Sequence, residues 1–249
     1  MKRAITLLAF AALAGSAMAD GFDAQILRSY NLGETATAGV DAADPNAAYS
    51  NVTNFVGSAV RNTGGTASAP TFMIADDCTT TIGGAVTTLR FSMANLNTAS
   101  KSIKPSIRIY ADNAGAPGTL LYAVDFNAVT LAASSVSVLT FTPGTTLFTA
   151  AANTQYWIGE FFTGGTGTTS TTAAQVNNWA MGLFNPPDVG TSSFNEWDSA
   201  AGNTQLTNNP TGALYTGGYS SGTIPANYGF ELVVPAPSSV ALLGLGGLI

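Results

Sequence analysis

Histidine is absent from this 249-residue chain, and its absence excludes whole classes of chemistry. Without it there is no Ser-His-Asp triad, no Cys–His nucleophile pair and no zinc site that uses imidazole. Cysteine occurs once, as Cys78, so no intramolecular disulfide can form. A small buried residue is the preferred reading of that cysteine, ahead of a nucleophile or an intermolecular bridge. Charge is scarce, at 9% of residues, so salt bridges are not expected to carry the fold. No Lys or Arg follows Arg108, which makes nucleic acid and anionic membrane surfaces poor partners. The Gly-rich stretches precede no plausible helix, so phosphate and dinucleotide loops are excluded and no cofactor is expected. No repeat of fixed period runs through the chain.

What remains is a composition for strands. Glu, Lys, Arg and Gln are few, whereas Thr, Val, Ile and aromatic residues are common and Gly punctuates them. Residues 71–75 lead apolar into Asp76-Asp77-Cys78. Within 86–93, Leu89, Phe91 and Met93 alternate with Arg90 and Ser92. Ile107 and Ile109 alternate with Arg108 and Tyr110, after Pro105 at the expected start of a strand. The turn cluster at 112–118 and the apolar run at 120–126 complete a hairpin. Strands are also expected at 136–142, at 155–162, where Tyr156 and Ile158 oppose Trp157, and at 228–234. Residues 163–172 and 202–222 read as loops by composition. The expected fold is all-β: a single jelly-roll-like β-sandwich over residues 20–234.

Both ends read as targeting segments. Lys2 and Arg3 precede an apolar run at 4–14, and Ala17 and Ala19 place small residues at the −3 and −1 positions of a signal-peptidase site. Residues 1–19 therefore read as a signal peptide, with Asp20 the new N-terminus. Removing Lys2 and Arg3 leaves six bases against fourteen acids, a net charge of −8. At the other end Pro235, Ala236 and Pro237 are followed by two serines and then by residues 240–249, which carry no charged or strongly polar side chain. That run is expected to form a short apolar helix, well below the roughly twenty residues that span a bilayer. The segment 235–249 reads as a sorting tail with transient membrane association.

The tail resembles the PEP-CTERM sorting tail of exported bacterial proteins, with Ala236 where that family usually has Glu. The arginine cluster that closes the family's tail is missing from residues 235–249. Four stretches of the body, Ile74-Ala-Asp-Asp-Cys-Thr79, residues 107–121, residues 151–157 and Gly182-Leu-Phe-Asn-Pro-Pro187, are similar to the choice-of-anchor extracellular domains that often precede such tails. The resemblance implies a β-sandwich without assigned chemistry. It also implies an exosortase-like membrane transpeptidase as partner, acting near Pro235–Pro237 and placing the protein at the cell surface or outside the cell.

Candidate sites in the body are few. Asp76, Asp77, Glu160, Glu196 and Asp198 could formally supply the two carboxyls of a glycoside hydrolase, although acids at turns and strand ends more often solvate or cap. Asp112 and Asn113, beside Gly115, offer oxygen ligands for calcium, but the loop lacks a further acid and suits an ordinary turn. Trp197, Tyr215 and Tyr219 are the candidate rings for stacking on exopolysaccharide. Trp157, in an apolar strand, is expected in the core. The leading expectation is a non-enzymatic exported surface or matrix protein. A carbohydrate-binding module comes next, and a polysaccharide hydrolase last.

Overall fold

The computed structural model describes residues 21–32, 42–60, 73–164, 178–199, 208–216 and 227–236. Among them are sixteen strands and no helix: β1 (Gln25–Asn31), β2 (Ala47–Ser50), β3 (Phe55–Val60), β4 (Ile74–Thr79), β5 (Gly84–Val86), β6 (Thr88–Asn95), β7 (Lys101–Asp112), β8 (Pro117–Asp125), β9 (Val129–Leu131), β10 (Ser135–Phe141), β11 (Phe148–Ala150), β12 (Gln155–Gly164), β13 (Trp179–Phe184), β14 (Glu196–Ser199), β15 (Gly212–Tyr215) and β16 (Phe230–Val233). They form two seven-stranded sheets and a small β5–β11 ribbon. The signal segment with Ala17 and Ala19, Tyr219, Pro237 and the expected tail helix lie outside the described residues.

In the first sheet, β6 is the centre. One side pairs with β10 along its whole length, from Leu89↔Phe141 to Asn95↔Ser135. The other side is shared: β16 takes Thr88 to Phe91, and β13 takes Ala94 and Asn95. β1, β2 and β3 lie outside β10, β16 and β13 respectively. The second sheet runs β15-β14-β4-β12-β7, and both β8 and β9 pair along the far side of β7. All of these ladders are antiparallel, as short, turn-linked strands favour.

Period-two alternation decides what lies between the sheets. Leu89, Phe91 and Met93 of β6 join Leu139, Phe141, Phe230 and Leu232 from their own sheet. Facing them are Ile74, Cys78, Ile107, Ile109, Tyr156, Ile158 and Phe162 from the other. Phe126 stacks on Phe91, with ring centroids 5.0 Å apart, and meets Phe141 edge-on at 5.1 Å. Each large apolar side chain so buried contributes about 1.5–3 kcal/mol before chain entropy is counted. This shared core is consistent with the expected β-sandwich.

Part of each outer face is buried too. On the second sheet Met73, Ala75, Tyr110, Trp157, Phe161 and Trp197 form a separate apolar layer, which holds Trp157 in a core as expected. On the first sheet Tyr30, Val136, Val138, Ala94, Ala180, Phe184 and Phe55 form another. Tyr30 is on β1 and Phe55 on β3, the two ends of the order β1-β10-β6-β13-β3. Four strand spacings would separate them by about 19 Å in a flat sheet. Their rings nevertheless stack at 4.6 Å, so the first sheet curls strongly around its own outer layer.

Two local expectations are corrected. Pro105 lies inside β7, opposite Phe162, and not at the strand's start. Its carbonyl accepts from Phe126 N at 3.0 Å, which aims its backbone at the junction between β8 and β9, where a missing N–H breaks no ladder. Residues 212–215, expected as loop, are a strand because they complete an edge on β14, with Trp197 opposite Leu214.

Candidate functional site

The turn after β7 is built by Asp112. Its Oδ1 accepts from Gly115 N at 3.1 Å and from Trp157 Nε1 at 2.8 Å. Ala114 and Gly115 have φ of 55° and 86°, so the chain reverses through the left-handed region. Asn113 N donates to Ala116 O, and its side-chain amide donates to Asn209 Oδ1 at 3.1 Å. The Asp112 carboxylate considered for calcium is thus engaged in closing a turn and seating an indole. Replacing Asp112 by Ala should cost about 1–2 kcal/mol, through the unpaired indole N–H and the lost turn. Thermal melts should show that loss to be the same with and without chelator.

The three rings considered for glycan stacking separate. Trp197 is only 3% exposed and belongs to the layer with Trp157 and Met73, so it presents no face to solvent. That corrects its expected exposure: on β14 the alternation turns Trp197 toward the covered outer layer. Tyr215 is 39% exposed on the edge strand β15. Tyr219 is outside the described residues.

The five acids considered for hydrolysis are all buried. Register explains where they point. β14 pairs with β4 as Glu196↔Asp76 and Asp198↔Ile74, and β12 pairs with β4 as Ile158↔Asp76 and Glu160↔Ile74. Ile74 and Ile158 face the shared core, so Asp76, Glu160, Glu196 and Asp198 face it as well. Asp77 alone points the other way, where Ser193 donates to it through N at 3.1 Å and Oγ at 2.6 Å.

Tyr228, in the lead-in to β16, ties two of these acids together. Its N donates to Asp76 Oδ2 at 2.6 Å, and its hydroxyl donates to Glu196 Oε2 at 2.9 Å. Asp76 Oδ1 and both oxygens of Glu160 have no hydrogen-bond partner. Burial pushes the Asp76 carboxyl well above its ordinary range, Asp77's charge adds to this, and the Tyr228 N–H opposes it. Burial alone pushes Glu160 well up. Asp77 is also raised by burial, against the Ser193 hydrogen bonds. The Cys78 thiol is raised by burial and then by Asp77 and Asp76, so it is the opposite of an activated thiolate.

Burial thus disfavours ionisation of Asp76 and Glu160 inside the core. Among the described residues no three His, Cys, Asp or Glu side chains come together in a way that could hold a metal ion. The inward acids were legible in part: Asp76 stands at period two between Ile74 and Cys78, and Glu160 between Ile158 and Phe162. Scans of the chain against protein-family models find no match, and a search of curated proteins finds no significant relative.

Proposed function

We propose that the chain is an exported, non-enzymatic surface or matrix protein, a jelly-roll-like β-sandwich carried to the cell surface by a PEP-CTERM-type tail. The observation that carries this reading is how the chain leaves the body. β16 is held on both sides, by β6 and by β2. Val234 makes the last described backbone contact, donating from N to Asn46 O at 3.0 Å, and is buried. Pro235 and Ala236 are exposed at once. Pro235 and Ala236 therefore leave the body from a fixed point, where a membrane transpeptidase could reach them. The burial of all five candidate acids supports a body without hydrolytic chemistry, since a catalytic pair must reach its substrate.

Deleting residues 235–249 tests the reading. The truncated protein should melt at the same temperature as the full chain. In the native host it should lose its membrane fraction and its arrival at the surface. Unfolding on truncation would make the tail part of the core, and unchanged surface delivery would remove its sorting role.

A further inference from the structure

The edges of the two sheets are not alike. β8 is capped at both ends. Asn209 N donates to Gly118 O at 2.7 Å and Leu120 N donates to Asn208 Oδ1 at 2.9 Å, while Phe22 N donates to Asp125 O at 3.1 Å. On β2, Ala48 O accepts from Thr81 N at 2.8 Å and Ser50 N donates to Val189 O at 3.0 Å. β1 has a bulge between Ile26 and Arg28, and Arg28 adds a charge. Caps, bulges and charges all keep a sheet edge from pairing with another chain.

β15 has none of these. It pairs with β14 over all four residues without a bulge, and it contains neither charge nor proline. It is exposed along its length, with Leu214 at 42% and Tyr215 at 39%. Among the described residues, no strand other than β14 pairs with it. The neutrality extends well beyond the strand. After Asp198 the sequence holds one charged residue, Glu231, which is wholly buried, and Glu196 and Asp198 on β14 are buried as well.

Charge and register together choose the partner. The chain has a net charge of −6, so two copies repel wherever their exposed acids meet. Along β15 there are none to meet. The strand is also complementary to itself. A two-fold axis perpendicular to the sheet keeps each face on its own side, so residues that meet must share a face. Leu214 lies opposite Trp197 and shares its face, whereas Ala213 and Tyr215 lie opposite Asp198 and Glu196 on the other. An axis through Leu214 meets this condition. Leu214 then faces Leu214 of the second copy, and Tyr215 covers the small Ala213.

We propose that β15 is a self-association edge: two copies pair β15 to β15 antiparallel, joining their second sheets into one that runs through both molecules. Four residues a side bury less than the roughly 1,200 Å² at which standard interfaces begin, so the pairing is weak in dilute solution and favoured where copies are crowded. It does not depend on sorting by the tail.

Leu214→Cys in the full chain tests the register. Opposed residues of an antiparallel pair have Cα atoms about 4.5–5.5 Å apart, within the span of a disulfide. Mild oxidation should give a covalent dimer that reductant reverses, and the buried Cys78 should not compete. Thr216→Cys, also exposed, should not cross-link, because the same register offsets it from its copy by about 13 Å. In sedimentation velocity the average mass of the wild type should rise toward that of a dimer between micromolar and millimolar concentration. Leu214→Lys, which sets two cations face to face, should stay monomeric at an unchanged melting temperature. Three results would overturn the proposal. One is a wild type that remains monomeric throughout. Another is Leu214→Cys cross-linking no more readily than Thr216→Cys. The third is Leu214→Lys associating like the wild type, which would move the contact to another surface, the apolar tail included.

Discussion

Replacing Glu160 by Met should stabilise the protein, and the gain should grow with pH. The carboxyl is fully buried among apolar neighbours, and neither oxygen has a partner. Burial raises its pKa, so the folded protein keeps a proton that the unfolded chain gives up above the ordinary glutamate range. Stability is then complete below that range and falls as pH climbs toward the raised value, by about 1.4 kcal/mol per pH unit while the difference lasts. Methionine has a similar unbranched shape and no charge to lose. The expected gain is about 1 kcal/mol near pH 5, from removing an unsatisfied polar group, and larger near pH 8. Urea unfolding at the two pH values measures both. A gain independent of pH would mean that Glu160 does not titrate in the folded state.

A loss of comparable size should follow Glu231→Ala. Glu231 lies on β16 and is wholly buried, where Arg90 of β6 pairs with one of its oxygens. Its other oxygen accepts Asp44 N at 2.8 Å, and Asp44 closes back on Arg90 at 3.5 Å. The three residues fasten the segment before β2 to the last strand. Truncating Glu231 leaves Arg90 largely buried without its main counter-charge, and breaking a pair in this way costs about 3–5 kcal/mol. Replacing both partners together, as Arg90→Met with Glu231→Met, should recover most of that loss, because no buried charge is stranded and the Asp44 carboxylate left behind is partly exposed. Equilibrium unfolding of the single and double variants distinguishes a stranded charge from simple loss of packing, which the double variant would not repair.

The hairpin β7–β8 was readable because Ile107 and Ile109 alternate up to a turn cluster whose Asp112 and Gly115 perform the reversal. The faces of β6 and β12 were readable for the same reason. Alternation reports which side chains share a face, but it does not report whether the opposite face is also covered. Here both faces of the central strands are buried, so Trp157 and Ile158, adjacent and opposed, are equally inaccessible. That is why Trp197 passed for a surface ring. It is also why acids that look like strand-end solvators prove to be interior. Pro105 misled for a different reason: the strand beside it changes from β9 to β8 at that point, and only the tertiary pairing reveals the gap. The strand at 212–215 is set by β14 alone, with little apolar signal of its own.

The place of β16 also bears on timing. The last strand of the body is not at an edge but lies between β2, from early in the chain, and β6. A chain that crosses a membrane from its N-terminus delivers β2 and β6 long before residues 230–233 arrive to join them. On the export route proposed above, β1-β10-β6-β13-β3 can already pair, but β2 has no place in the first sheet until β16 arrives. The strand that seats β2 leads directly into the segment proposed to stop at the membrane.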